Sequence, residues 1–366
     1  LPQEKSPAAL KEIFDRARLR AFADQTTAVW PRFDAERFFA LATDGLDDLG
    51  IMQRMRLAAE AFDATLPDDY GKALNILAAL APSIRHGFAS ITLCEFVVLR
   101  GMDDFNRSMR ALHLFTRYGS AEFAIRHFLK RDPGRTLAVM RKWADDDNEH
   151  VRRLASEGSR PRLPWSFQFR EAVADPSLTW PILDALRGDP SLYVRKSVAN
   201  HLNDISKDHP AWLVERLAPW PRDDTHTAWI VKHALRTLIK KGDPAALALA
   251  GATGKAQAHI DGFSVSPAQL RLGDRLTVSA RVVSTASERQ HIVADYAVHY
   301  VKKNGAASRK VFKLKSFALE PGAVQPLSVS QLVRDFSTRT HNAGFHKVEL
   351  MLNGETMAEG GFDLST

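Results

Sequence analysis

The sequence has one cysteine, Cys94, which excludes an intrachain disulfide and a multi-cysteine zinc site; inside the apolar run ITLCEF it reads as a core residue. Long hydrophobic runs are missing too. The longest, residues 91–99, is interrupted by Glu95 and falls far short of the ~20 residues a membrane helix needs. Low-complexity segments are absent, and 20 Gly and 18 Pro among 366 residues, with 45% hydrophobic and 25% charged side chains, exclude collagen-like and disordered classes. The 13 histidines include no HExxH spacing, and no glycine-rich loop follows a strand, so neither a metal nor a nucleotide cofactor is expected. Charges occupy the N-terminal stretch where a signal peptide would carry its apolar segment, which predicts a cytoplasmic protein without membrane association.

What the chain does have is an uneven distribution of charge. Its net charge is +7, yet residues 1–106 carry 12 basic and 16 acidic side chains, whereas residues 107–171 carry 14 basic, 12 of them arginine, and 8 acidic. A solvated helical surface would account for this window. So would a face that binds a polyanion, since arginine forks match phosphate geometry.

A length of 366 residues suggests two or three domains. From about Ser6 to Ala250 apolar residues recur at three and four positions, as in Phe105, Met109, Leu112 and Phe115, and Pro and Gly fall between such stretches. This predicts helices near 70–80, 121–129, 133–144, 149–156, 180–186, 193–204, 210–217, 228–240 and 245–249. An internal repeat runs through them. Trp143-Ala-Asp-Asp-Asp-Asn-Glu-His-Val-Arg-Arg-Leu-Ala aligns with Leu186-Arg-Gly-Asp-Pro-Ser-Leu-Tyr-Val-Arg-Lys-Ser-Val, and Ile230-Val-Lys-His-Ala-Leu-Arg-Thr-Leu is a weaker third copy. Such offsets suit stacked helical pairs of the HEAT type, whose concave face is a long binding surface.

After Lys255 the periodicity becomes alternating, as in Leu276, Val278, Ala280 and Val282, then Ile292, Ala294, Tyr296, Val298 and Tyr300. About seven strands in ~110 residues predict an immunoglobulin-like β-sandwich without the antibody-type cysteine pair. The expected architecture is therefore multidomain, α then β: a HEAT-like α-solenoid over residues 1–252, a linker at 251–255, and an immunoglobulin-like β-sandwich over 258–366. Lys302, Lys303, Lys310, Lys313 and Lys315 make the sandwich either a second polyanion contact or an ordinary solvated sheet.

Most of the arginine excess sits between Tyr118 and Trp165, beside two glutamates in small-residue settings, Ser120-Ala-Glu122 and Ser156-Glu157-Gly158. Glu122 either caps a helix start, where the dipole favours a carboxylate, or has a chemical role. Glu157 ends a helix, where the same dipole opposes it, so another partner or function must stabilise it. Trp165 either fills the solenoid core or stands exposed beside the carboxylates, where its π face can stabilise a cation. Asn200 and Asp204 share a helix face with Lys196, either as repeat-to-repeat hydrogen bonds or, for Asp204, as part of the acidic cluster.

The runs Ser120-Ala-Glu-Phe-Ala-Ile-Arg, Val151-Arg-Arg-Leu-Ala-Ser-Glu-Gly-Ser-Arg-Pro-Arg-Leu-Pro-Trp165 and Val194-Arg-Lys-Ser-Val-Ala-Asn-His-Leu-Asn-Asp-Ile-Ser-Lys-Asp-His-Pro210 resemble the AlkC branch of the AlkC/AlkD bacterial DNA alkylation repair glycosylases. The resemblance covers about residues 1–250, and some AlkC members carry a similar added immunoglobulin-like domain. It implies a monofunctional, cofactor-free DNA glycosylase, a monomer acting on alkylated double-stranded DNA of the nucleoid. Its substrates would be cationic bases, chiefly 3-methyladenine and also 3-methylcytosine. The family grips the duplex in the concave helical face and acts without flipping the base, unlike glycosylases that extrude the target nucleotide.

On this resemblance Glu122, Glu157 and Trp165 are the catalytic candidates: the carboxylates stabilise an oxocarbenium-like sugar and handle water, and the indole packs on the sugar. Arg152, Arg153, Arg160 and Arg162 would hold flanking phosphates, with Arg195, Lys196 and Lys232 extending the track and Asn200 and Asp204 beside it. The competing readings are a non-catalytic binder of damaged or distorted DNA, in which the glutamates are structural, and a HEAT-type protein scaffold.

Overall fold

The computed structural model describes residues 10–252, 254–336 and 340–365. Among the described residues sixteen α-helices precede eight β-strands, the last helix being Pro244–Leu249 and the first strand Ala258–Ser266. Tyr70–Leu80 and Pro210–Leu217 coincide with the helices expected from periodicity, and Glu149–Gly158 and Leu192–Ile205 extend theirs by a residue or two. The expected 228–240 helix is two, Thr225–Ala234 and Arg236–Lys240. No described helix is long and apolar enough to cross a membrane. The chain divides into two compact units inside the helical region, not at the change from helix to strand. One unit runs to Asp208 and takes in Arg222–Ile230; the other holds His209–Pro221 and everything from Val231.

In the first unit, the internal repeat corresponds to repeated contacts. Asp146 and Asp189, 43 residues apart, occupy equivalent loops, and each accepts the backbone N–H two residues on, at Asn148 and Ser191 (2.8 Å in both). Each also binds a side chain of a preceding helix: His113 Nε2 donates to Asp146 (2.7 Å), and Arg152 Nε and Nη2 donate to Asp189 (2.7 and 3.2 Å). Arg152 and Arg195 each send Nη1 back to the loop carbonyls five and six residues earlier, at Asp147 and Asp146, and at Pro190 and Asp189. The loops are thereby tied to both neighbours, which satisfies carbonyls that helices leave unpaired. Cys94 is fully buried here, and burial pushes its thiol pKa up, so it is an inert core side chain at neutral pH.

In the second unit, β1 (Ala258–Ser266), β3 (Arg275–Ser284) and β6 (Val324–Leu332) form a sheet in the order β1-β3-β6. β2 (Gln269–Arg271), β4 (Gln290–Val301), β5 (Ala307–Leu319), β7 (Gly344–Leu352) and β8 (Glu355–Ser365) form another in the order β2-β8-β7-β4-β5. The core between them uses the alternate residues singled out above, including Val278, Val282, Ile292, Ala294, Tyr296 and Val298, with Val348, Leu350 and Phe362. The eighth strand is β2, three residues long and parallel to β8, too short to show an alternating pattern. Asn353 and Gly354 both have positive φ in the β7–β8 turn, as an Asn-Gly hairpin requires. Asp295 on β4 is buried opposite Lys313 of β5; burial pushes its pKa up to about 6, against the attraction of Lys313 and Lys240.

Two stability predictions follow from these contacts. Asp189→Ala strands a largely buried guanidinium and should lower the unfolding free energy by about 3 kcal/mol, whereas Asp145→Ala, at an exposed pair, should change it little. Equal effects in urea titrations would show that the tie is dispensable. Because the folded Asp295 carboxyl binds its proton more tightly than the unfolded one, the native protein loses stability as pH rises from about 4 through 6. Asp295→Asn should therefore be more stable by about 2 kcal/mol at pH 7 and equal to the parent at pH 4, as measured by unfolding across that range.

Candidate active site

The Glu149–Gly158 helix carries the first half of the site. It starts at Asn148, whose side chain accepts from the His150 backbone (3.0 Å), and ends at Gly158, where a Cβ would lie 2.5 Å from Ile125 Cγ2. Only glycine lets the last turn approach the Ala124–Arg131 helix so closely. Glu157 in that turn is buried at 6% exposure, and the partners its position demands are present. Arg160 Nη1 donates to Oε1 (2.7 Å), Ser197 Oγ donates to Oε2 (2.6 Å), and Arg153 Nη2 lies 3.5 Å from Oε1. Ser197 comes from the adjacent Leu192–Ile205 helix, so the carboxylate spans two repeats. Next to it His201, kept neutral by burial that pushes its pKa down to about 3, joins Thr179 to the Ser156 carbonyl (3.1 and 3.0 Å).

Glu122 lies two residues before the Ala124–Arg131 helix. Its carboxylate does not cap that helix: it accepts from Ser120 Oγ (2.8 Å) and from Arg153, which also donates to Ser120 Oγ (2.7 Å). Arg153 thus bridges both glutamates, with its guanidinium 5.1 Å from the Tyr193 ring centroid. Burial disfavours its charge, but Glu122 and Glu157 outweigh burial and hold its pKa above the usual value.

The loop after Gly158 supplies the second half. Arg160 fills the space between Glu157 and Asp204, which it meets at 2.9 Å through Nε, and Asp204 also takes Lys207 Nζ at 2.9 Å. Arg162 forks onto Asp208 (3.1 and 2.8 Å). Trp165 has φ +63°, a left-handed conformation rare for a bulky residue, and is 63% exposed; its ring meets Phe88 edge-on at 6.3 Å. The core-filling alternative therefore fails, and the indole stands over an open cleft of about 380 Å³ whose lining includes Glu122, Glu157, Tyr193, His150 and Phe88.

Several expected phosphate contacts have other work. Arg152 is engaged by the inter-repeat tie to Asp189, and Arg195 binds the carbonyls of its own loop and faces the Trp229 ring at 5.8 Å. Arg160 is buried and Arg153 half-buried in the ion-pair network, and Arg162 is engaged by Asp208. Asp204 does not line the cleft; it reaches the site through Arg160, as a contact between repeats. Lys196 is exposed, and Asn200 is half-buried one turn further on. Lys232 lies in the other compact unit, beside Lys313 and His291. The sequence reading missed Tyr193, Ser197 and Arg126. Tyr193 and Ser197 stand one helical turn apart in the second repeat, and Arg126 occupies an apolar position next to Ile125; those registers were the available signals.

A family model described as "DNA alkylation repair enzyme" matches residues 116–238, and one described as "Uncharacterised protein YhaZ, C-terminal Ig-like domain" matches residues 259–366. The chain is 38% identical over 349 residues to the YhaZ protein of Bacillus subtilis (strain 168), covering 95% of this chain and 97% of the relative. It is 53% identical to a solved structure of Pseudomonas fluorescens alkylpurine DNA glycosylase AlkC bound to DNA containing an abasic site analog, with a TM-score of 0.95 over 98% of this chain and 99% of that one. Glu122, Glu157 and Trp165 lie inside the repair-family match, and the chain belongs to the AlkC family of DNA alkylation repair proteins, with the Ig-like C-terminal domain of YhaZ.

Proposed function

We propose that this protein is a monofunctional DNA glycosylase that hydrolyses the N-glycosidic bond of cationic alkylated bases, chiefly 3-methyladenine and also 3-methylcytosine, without flipping the base. The observation that carries this reading is the pairing of Glu122 and Glu157 in one open cleft beneath an exposed tryptophan. A ring-alkylated base already carries positive charge, so it departs without a general acid. The demand falls on the sugar, which becomes oxocarbenium-like as the bond breaks. Fixed carboxylates meet that demand because they are already oriented and need no reorganisation during the reaction.

The two glutamates divide the task by their hydrogen bonds. Both Glu157 oxygens are engaged, Oε1 by Arg160 and Oε2 by Ser197, which suits a fixed charge. Glu122 uses Oε2 for Ser120 and Arg153, and its Oε1 has no partner among the described residues, which suits an acceptor for the attacking water. Trp165 packs on the deoxyribose and adds cation–π stabilisation. An open cleft rather than a closed pocket suits a base that stays in the duplex.

Duplex DNA methylated to contain 3-methyladenine, incubated with the protein and no metal or nucleotide, should release the free base. Glu157→Gln and Glu122→Gln should each slow release about 100-fold or more while duplex affinity changes less than about threefold. Full activity in both variants would overturn the division of roles. Binding to intact duplex should weaken steeply between 50 and 200 mM salt, as phosphate contacts require. Salt-sensitive binding without base release would leave the non-catalytic damage binder; salt-insensitive or undetectable binding would leave a protein scaffold.

A further inference from the structure

Arg126 is among the largest fully buried side chains, at 1% exposure, and it has no carboxylate partner among the described residues. Its guanidinium, on the Ala124–Arg131 helix, donates to three backbone carbonyls of one segment. Nη1 reaches Gly158 (3.1 Å) and Arg160 (2.8 Å), Nη2 reaches Phe167, and Cζ lies 5.3 Å from the Phe167 ring centroid. Nε has no hydrogen-bond partner among the described residues. Burial and the neighbouring Arg160 pull its pKa down to about 10, so the group stays charged at neutral pH at an energetic disadvantage.

The segment it holds is the one that most needs holding. Between the end of the Glu149–Gly158 helix and the start of the next at Arg170 the chain has no regular element. Within the segment, Phe169 N donates to the Pro161 carbonyl (3.0 Å) and Ser166 N to that of Leu163 (3.3 Å). At its tip Trp165 is exposed, in a left-handed backbone conformation, with an edge-on contact to Phe88. A residue in such a conformation persists only when its surroundings over-determine it. Arg126 grips the segment on both sides of the tryptophan, at 158–160 and at 167, and its planar fork reaches diverging acceptors that a single ammonium cannot span.

We infer that Arg126 is a positioning residue for base excision, fixing the indole of Trp165 over the cleft by pinning both flanks of its loop. The inference rests on the catalytic role given to Trp165 above. A consequence is that the contribution of Arg126 to the rate passes through the indole and disappears when the indole is absent.

The experiment is a double-mutant cycle on the full chain, combining Arg126→Lys and Arg126→Met with Trp165→Ala. It reads single-turnover release of 3-methyladenine at saturating enzyme, duplex affinity and the thermal midpoint. Arg126→Lys should slow release about 10- to 100-fold in the parent, a loss of the size expected when a reacting group is misplaced by about an ångström. In the Trp165→Ala background the same change should cost less than about threefold, with duplex affinity within about threefold throughout. Equal fold-losses in both backgrounds, or no loss in the parent, would overturn the inference. If Arg126→Met does not fold, Arg126→Lys decides; if neither is folded at the assay temperature, the residue is structural and the inference falls. Full activity of Trp165→Ala alone would instead refute the role of the indole, a distinct outcome.

Discussion

A carboxylate at the C-terminal end of a helix faces the negative end of the helix dipole, and burying it there adds the cost of removing a charge from water. Glu157 bears both penalties, and much of the surrounding structure compensates them. Arg160, Arg153 and Ser197 each arrive from a different segment: the following loop, the preceding turn of the same helix, and the adjacent repeat. Those partners bring further ones, since Arg153 extends to Glu122, and Arg160 to Asp204. The cleft is the open side of this network. Its rigidity follows from the cost of leaving any one buried charge alone.

The sequence showed the parts of this arrangement and hid the connections. Periodicity located the helices and the alternating strands because burial of one face imposes it directly. The motif around Glu157 was legible as a conflict between charge and dipole, and the conflict is real: the partners exist. Arginine identity, by contrast, carried little information about role. Arg152 and Arg160 stand a few residues apart in the same motif, yet Arg152 ties a loop to the next repeat and Arg160 neutralises two carboxylates. A guanidinium suits a phosphate, a carboxylate and a row of carbonyls equally well, and only the fold decides which it meets. Arg126 is the extreme case, since nothing in the composition around it signals its burial.

The repeat architecture explains why the site falls where it does. Each Asp-anchored loop is tied to the repeat before it, so successive helical pairs keep a constant relationship across Asp146 and Asp189. Glu157 and Ser197, on the helices that follow those two loops, meet across this junction. The arginine-bearing loop after Gly158 departs from the repeat, and it carries the exposed tryptophan. Scaffold and specialisation are thereby separated, and the departure is held by Arg126 on the Ala124–Arg131 helix.

The ion-paired state of the carboxylates sets the range over which they act. Glu122, Glu157 and Asp204 are matched by Arg153, Arg160 and Lys207, so the cluster as a whole is close to neutral. Its field is that of closely spaced opposite charges, which fades much faster with distance than the field of an isolated anion, and dissolved salt shortens the reach further. Phosphates several ångströms from the cleft meet little net repulsion, whereas an atom in contact with Glu122 still meets a full carboxylate. On the function proposed above, a duplex settles against the site without opposing it, and the negative charge is felt at contact range, where a sugar losing its base turns positive.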